Sequence, residues 1–157
     1  KEAIGHNGVY PMNYSLRKAR PDDIEWLYEL NRKSFLKVVI RQFGKWDEAF
    51  QRQIFFSKWE KPRPAQIIEK GSDRVGVVIL EQLEDCNWLH EIQICPNYQN
   101  QGLGTALLRD LLADARSRGV PLCLQVLHAN QDAKRLYARM GFQEIERLAN
   151  HFLMEIS

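Results

Sequence analysis

The segment QNQGLGTALL, Gln99 to Leu108, constrains the fold more than any other stretch of the 157-residue chain. Beyond its two glycines, Leu103, Leu107, Leu108, Leu111, Leu112 and Ala115 recur at helical spacing, and Gly119-Val120-Pro121 stops the pattern. A helix that begins at Gly102 has no side-chain cap and meets no acidic residue before Asp110. Its first backbone N–H groups are therefore unpaired, and the helix dipole adds partial positive charge to them. Such an end attracts phosphate, and glycine lets a ligand approach the backbone with no Cβ in the way. The side-chain amides of Gln99 and Gln101 can donate further hydrogen bonds. A plain strand-to-helix turn also uses glycine for its backbone freedom, so the spacing by itself leaves both readings open. The full GxGxxG dinucleotide pattern and the Walker lysine are absent.

The rest of the chain alternates strands and helices. Strand patterns cover Tyr14 to Arg17, Ala65 to Glu69, Arg74 to Leu83, Asn87 to Cys95, Leu122 to Leu127, Phe142 to Glu146 and Phe152 to Ile156. The second, third and fourth of these form an antiparallel meander. Pro21, Asp22 and Asp23 start a helix carrying Ile24, Leu27, Tyr28, Asn31 and Phe35, and a second runs from Asp47 to Trp59, ended by KPRP. The ring-rich stretch holding Phe43, Trp46, Phe50, Phe55, Phe56 and Trp59 is either an apolar-walled cleft or core. A short helix, Gln131 to Met140, closes at Gly141. The fold class is mixed α/β: a mostly antiparallel sheet flanked by helices. With 45% hydrophobic residues, the chain fits one domain over residues 12–157, and residues 1–11 read as a leader or tail.

Two segments resemble signatures of the GNAT superfamily of acyl-CoA-dependent N-acetyltransferases. ICPNYQNQGLGTALL, Ile94 to Leu108, is similar to its acyl-CoA signature, in which a strand and a proline precede Q/R-x-x-G-x-G/A and a leucine-rich helix. NQDAKRLYARMGF, Asn130 to Phe142, is similar to its second signature, N-x-x-A-x-x-L-Y-x-x-x-G-F. The resemblance spans roughly Arg74 to Glu146; before that, only the strand–helix–helix layout is similar. It implies a GNAT-type fold with splayed central strands and acetyl-CoA as donor. The pyrophosphate would lie on the amides of Gln99, Asn100, Gln101, Gly102, Leu103 and Gly104, with Thr105 also binding the cofactor, and the pantetheine along the strand ending at Ile94 and Cys95. It also implies Tyr137 as the general acid that protonates the departing thiolate, with backbone N–H near Ile94 meeting the oxyanion.

The implied reaction is direct attack of a primary amine on the thioester in a ternary complex. The alternative is a non-catalytic acyl-CoA-binding or sensor domain of the same fold. Asn130 is an N-cap with a compatible contact to the cofactor, and Tyr137 on spacing alone is a core aromatic. Lys134 is either a partner of the nucleotide phosphates or solvated charge. For the general base the choices are His90, Glu91 beside it, or water; strand alternation puts Trp88, His90, Ile92 and Ile94 on one face and Leu89, Glu91, Gln93 and Cys95 on the other. The same alternation separates Cys95 from His90, which argues against a thiol nucleophile. The four histidines and three cysteines lack metal-type spacing, so no metal is expected. A net charge of +2 with dispersed basic residues suggests neither nucleic acid nor an anionic membrane as partner. The expected partner is a small-molecule or peptide amine, the protein being a cytoplasmic monomer or homodimer.

Overall fold

Apolar residues on both sides of the strands call for helices on both faces of the sheet, and the computed structural model, which describes residues 14–157, has that arrangement. The elements run β1 (Ser15–Lys18), a 3-10 turn (Pro21–Asp23), α1 (Ile24–Phe43), α2 (Glu48–Lys58), β2 (Ala65–Lys70), β3 (Asp73–Gln82), β4 (Asn87–Ile94), α3 (Leu103–Arg118), β5 (Leu122–Leu127), α4 (Gln131–Met140), β6 (Gln143–Arg147) and β7 (His151–Ile156). The seven strands lie in the order β1-β2-β3-β4-β5-β7-β6, and every neighbouring pair is antiparallel except β4 and β5. The leader expected at residues 1–11 lies outside the described residues.

One core lies under α3 and α4, where the six predicted α3 residues Leu103, Leu107, Leu108, Leu111, Leu112 and Ala115 are all buried against Val78, Leu89, Leu124 and Met154. The other lies under α1 and α2, where Leu27 and Leu30 meet Ile67, Val77 and Ile79, with Phe55 and Trp59 packed alongside. Asp23, 2% exposed, joins β1, α1 and β3. Its carboxylate accepts from Arg17 at 2.8 and 2.9 Å, from Arg74 at 3.2 Å and from the Arg20 backbone N–H at 2.8 Å. Asp47 caps α2 by accepting from the Phe50 N–H at 3.0 Å.

The rings around α2 follow neither reading throughout, since Phe55 and Trp59 both pack on the core and line a cleft. Phe43 and Phe50 are 52% and 55% exposed and belong to no core. Trp46, Phe55 and Trp59 line a cleft.

Two irregularities in β4 position the site. First, β4 and β5 share only three rungs, Asn87↔Leu122, Trp88↔Cys123 and Leu89↔Leu124, and then diverge. Second, Ile79 faces Glu91 and Leu80 faces Leu89 across β3 and β4, so His90 is an extra residue in a β-bulge. The bulge resets the alternation and corrects the face assignment: Leu89 packs into the same core as Ile92 and Ile94, not on the face of Glu91 and Gln93.

Candidate functional site

Where β4 and β5 part, they leave a cleft of about 630 Å³ whose walls include His90 to Ile94 from β4 and Leu124 to Leu127 from β5. At one end stands Gln99, which leads into α3. Helix α1, helix α2 and the segment after α2 close one side through Asn31, Phe35, Phe55, Trp59 and Arg63, and Asn130, Ala133 and Tyr137 enter from α4.

At the α3 end, Gly102 is the N-cap at φ +82°, a conformation costly for any residue with a Cβ, and no side chain caps the helix. A Cβ added at Gly104 meets no atom within 4 Å, so open space borders the first turn of α3. Asn100 also has positive φ, 60°. The free backbone N–H groups at this end suit a phosphate-bearing cofactor. The two glutamine side chains are engaged otherwise than expected: the Gln99 amide donates to the Ile94 carbonyl at 2.8 Å and that of Gln101 to the Asn97 carbonyl at 3.1 Å. They hold the turn in shape. Leu103 is buried as a core residue, and Thr105 lines a separate groove between α3 and α4.

Just past the end of β4, the Cys95 N–H donates to the Val75 carbonyl at 2.8 Å. Successive N–H groups on a strand point to opposite sides. The Ile94 N–H therefore points away from β3, to the side where β5 has already diverged. The Cys95 thiol lies 3.9 Å from the Arg74 carbonyl, and burial raises its pKa, which makes it a poor nucleophile.

Tyr137 packs on Phe142, ring centroids 5.5 Å apart, and lines the cleft. Its hydroxyl has no hydrogen-bond partner among the described residues and is not sealed from the cleft. Burial, then the charge of Glu91, raises its pKa, so it stays protonated at neutral pH. Glu91 accepts from the Gln93 amide at 3.1 Å, and that amide also donates to the Asn31 side-chain oxygen at 3.2 Å. Burial raises the Glu91 pKa against the lowering influence of Gln93, Lys58 and Arg63. His90, although it lines the same cleft, is 34% exposed in its side chain and bonds Glu81 at 2.8 Å. The bulge thus brings both predicted base candidates to the cleft but leaves only Glu91 enclosed in it.

Asn130 caps α4, its side-chain oxygen accepting from the Ala133 N–H at 3.4 Å, and still borders the cleft. Lys134 stands elsewhere: it bonds Glu144 at 3.3 Å and sits 3.6 Å from the centroid of the Phe152 ring. The cleft also contains Lys58, Arg63, Gln93 and His151, which periodicity does not single out because they come from a helix end, a proline-rich loop, a strand and a strand start. Among the described residues, no group of three or more His, Cys, Asp and Glu could hold a metal ion, and no helix is long and apolar enough to cross a membrane.

Comparison with known proteins finds that residues 24–142 match the family described as the acetyltransferase (GNAT) family. A ribosomal protein bS18-alanine N-acetyltransferase of Haemophilus influenzae is 30% identical over 131 residues, covering 83% of this chain and 82% of that protein. An uncharacterized N-acetyltransferase of Methanocaldococcus jannaschii is 29% identical over 152 residues, 85% of this chain, and the bS18-alanine N-acetyltransferase of Escherichia coli is 42% identical over 88 residues, 55% of this chain. The matches span only 62% and 59% of those two relatives' lengths. The crystal structure of a PaiA N-acetyltransferase from Thermoplasma acidophilum in complex with coenzyme A has the same fold. Its TM-score is 0.72, over 92% of this chain and 98% of that one, at 19% identity.

Proposed function

Because the chain belongs to the acetyltransferase (GNAT) family, we propose that it transfers an acetyl group from acetyl-CoA to a primary amine by direct attack in a ternary complex. The observation that carries this reading is the convergence of three groups on the rungless part of the β4–β5 cleft. These are the outward N–H of Ile94, the unpartnered hydroxyl of Tyr137 and the enclosed carboxylate of Glu91.

When bound, acetyl-CoA supplies the activated thioester carbonyl. The uncapped amides at the start of α3, with Gly104 leaving room, hold its pyrophosphate. Asn130 borders the path of the pantetheine while it caps α4. An amine is mostly protonated at neutral pH, and Glu91, its pKa raised by burial, takes that proton directly or through a water. The Ile94 N–H donates to the carbonyl oxygen as negative charge develops there. Tyr137, kept protonated, donates its proton to the leaving sulfur and regains one, directly or through water, from the nitrogen, which sheds its second proton as the amide forms.

The test is to incubate the protein with acetyl-CoA and a panel of amines and to follow free CoA thiol. A polypeptide amine belongs in that panel, given the relatives named for acetylating an alanine of ribosomal protein bS18. Amine-dependent thiol release is expected. Tight coenzyme A binding without release for any amine would identify a non-catalytic acyl-CoA-binding domain instead.

A further inference from the structure

The lobe of the cleft beside α2 contains more donors than the fold itself satisfies. Arg63 lines it half-buried, its guanidinium 5.4 Å from the centroid of the Trp59 ring. Arg17, Arg52 and Arg74 are each bonded to a carboxylate, whereas Arg63 makes no hydrogen bond or ion pair among the described residues. The Trp59 Nε1–H beside it is buried with no acceptor, the only such side-chain atom among the described residues. Lys58, one residue before Trp59, lines the same lobe and also has no bonded partner among the described residues. The other titratable groups facing this lobe are Glu91, which feels both cations, His151, which feels Lys58, and His90, already bonded to Glu81.

A guanidinium is a planar fork of five donors with no acceptor, and in a partly desolvated place it is normally matched by a carboxylate or phosphate. Here no carboxylate bonds Arg63 among the described residues, and Glu91 acts on it only as a charge in the same cleft. We propose that the acceptor amine carries a carboxylate a few bonds away, and that Arg63, held on the Trp59 ring and assisted by Lys58, binds that carboxylate. This deepens the acetyltransferase reading and rests on it. The carboxylate is either the α-carboxylate of a free amino acid or an acidic side chain next to the N-terminus of a peptide. Two nearby cations also lower the pKa of the incoming ammonium, which helps Glu91 to remove its proton. A polyamine, by contrast, would bring positive charge against two cations with no partner.

The experiment compares kcat and KM for matched pairs: alanine against alaninamide, and the amidated dipeptides Ala-Asp against Ala-Asn, with spermidine as the cationic extreme. The carboxylate member of at least one pair is expected to show a kcat/KM about tenfold or more above its neutral partner, mainly through KM. The first pair identifies a free amino acid and the second an acidic peptide. Arg63→Gln should treat the two members of the preferred pair alike. Equal kcat/KM within both pairs, a preference that survives in Arg63→Gln, or spermidine as the best substrate would overturn the proposal.

Binding provides a readout separate from turnover. The Trp59 Nε1–H is covered in the free protein, so its NMR resonance, identified by its loss in Trp59→Phe, reports movement of Arg63 toward a ligand. N-acetylalanine or N-acetyl-Ala-Asp amide should shift it at concentrations where the neutral counterpart does not, and not in Arg63→Gln. If no amine releases thiol, the acetyltransferase reading fails and this titration alone judges the carboxylate site. Identical responses to the charged and neutral ligands would sink it.

Discussion

At Tyr137 a single oxygen separates a packing role from a chemical one. Tyr137→Phe retains the ring that packs on Phe142 and deletes a hydroxyl with no partner among the described residues. Folding stability and acetyl-CoA affinity should change little, while kcat falls by about 10² to 10⁴, the range of general acid–base groups. An unchanged kcat would leave Tyr137 as a core aromatic. The choice between Glu91 and His90 is decided by pH. Burial raises the Glu91 pKa, so the acidic limb of kcat/KM should lie above the ordinary glutamate value of about 4.5. Glu91→Gln should lower kcat/KM and abolish that limb, and His90→Gln should keep it. The opposite pattern would return the role to His90. The same shift has a consequence for stability. A carboxyl whose folded-state pKa is raised favours the folded state below its unfolded pKa and loses that contribution as pH rises through the folded pKa. Glu91→Gln should therefore melt above the wild type at pH 7, with the gap closing as pH falls toward the ordinary glutamate value. A gap that widens on acidification would contradict the desolvated placement of Glu91.

At the scale of elements, the start of α3 and the bulge in β4 do the positioning. Gly102 is needed for its own backbone conformation, so a substitution there mixes strain with lost binding. Gly104 separates the two effects, because its added Cβ meets no protein atom and valine is no worse than glycine in a helix. Gly104→Val should fold with a melting temperature near that of the wild type and show no acetyl-CoA binding by calorimetry. Wild-type affinity in the folded variant would remove the pyrophosphate from α3. The α3 face was fully legible in the sequence, since burial of one helical stripe depends on spacing that a single helix preserves. The bulge was not. Strand alternation predicts a side chain's face only while the ladder is regular, and one extra residue at His90 put Leu89 on the other side and brought Glu91 into the cleft beside His90.

In the whole molecule, two layers of helices fix a sheet whose middle is left open, and the opening is the candidate site. The strand and helix order was readable, with α4 and β5 at their predicted bounds, because glycine and proline mark the turns between periodic segments. The lobe beside α2 was readable in its rings, Phe55 and Trp59, but not in its cations. Lys58, Trp59 and Arg63 become neighbours of Glu91 only when α2 packs across the sheet, and no local pattern encodes that meeting. The central claim is that acetyl-CoA lies in the gap between β4 and β5, with its phosphates at the start of α3. Two-dimensional amide NMR of the protein titrated with acetyl-CoA tests it directly. The backbone resonances of residues 92–95, 102–105 and 125–127 should shift together and saturate at one equivalent. Shifts confined to the other groove, around Arg109, Leu112, Arg139 and Ile156, with the β4 and β5 amides unmoved, would contradict it.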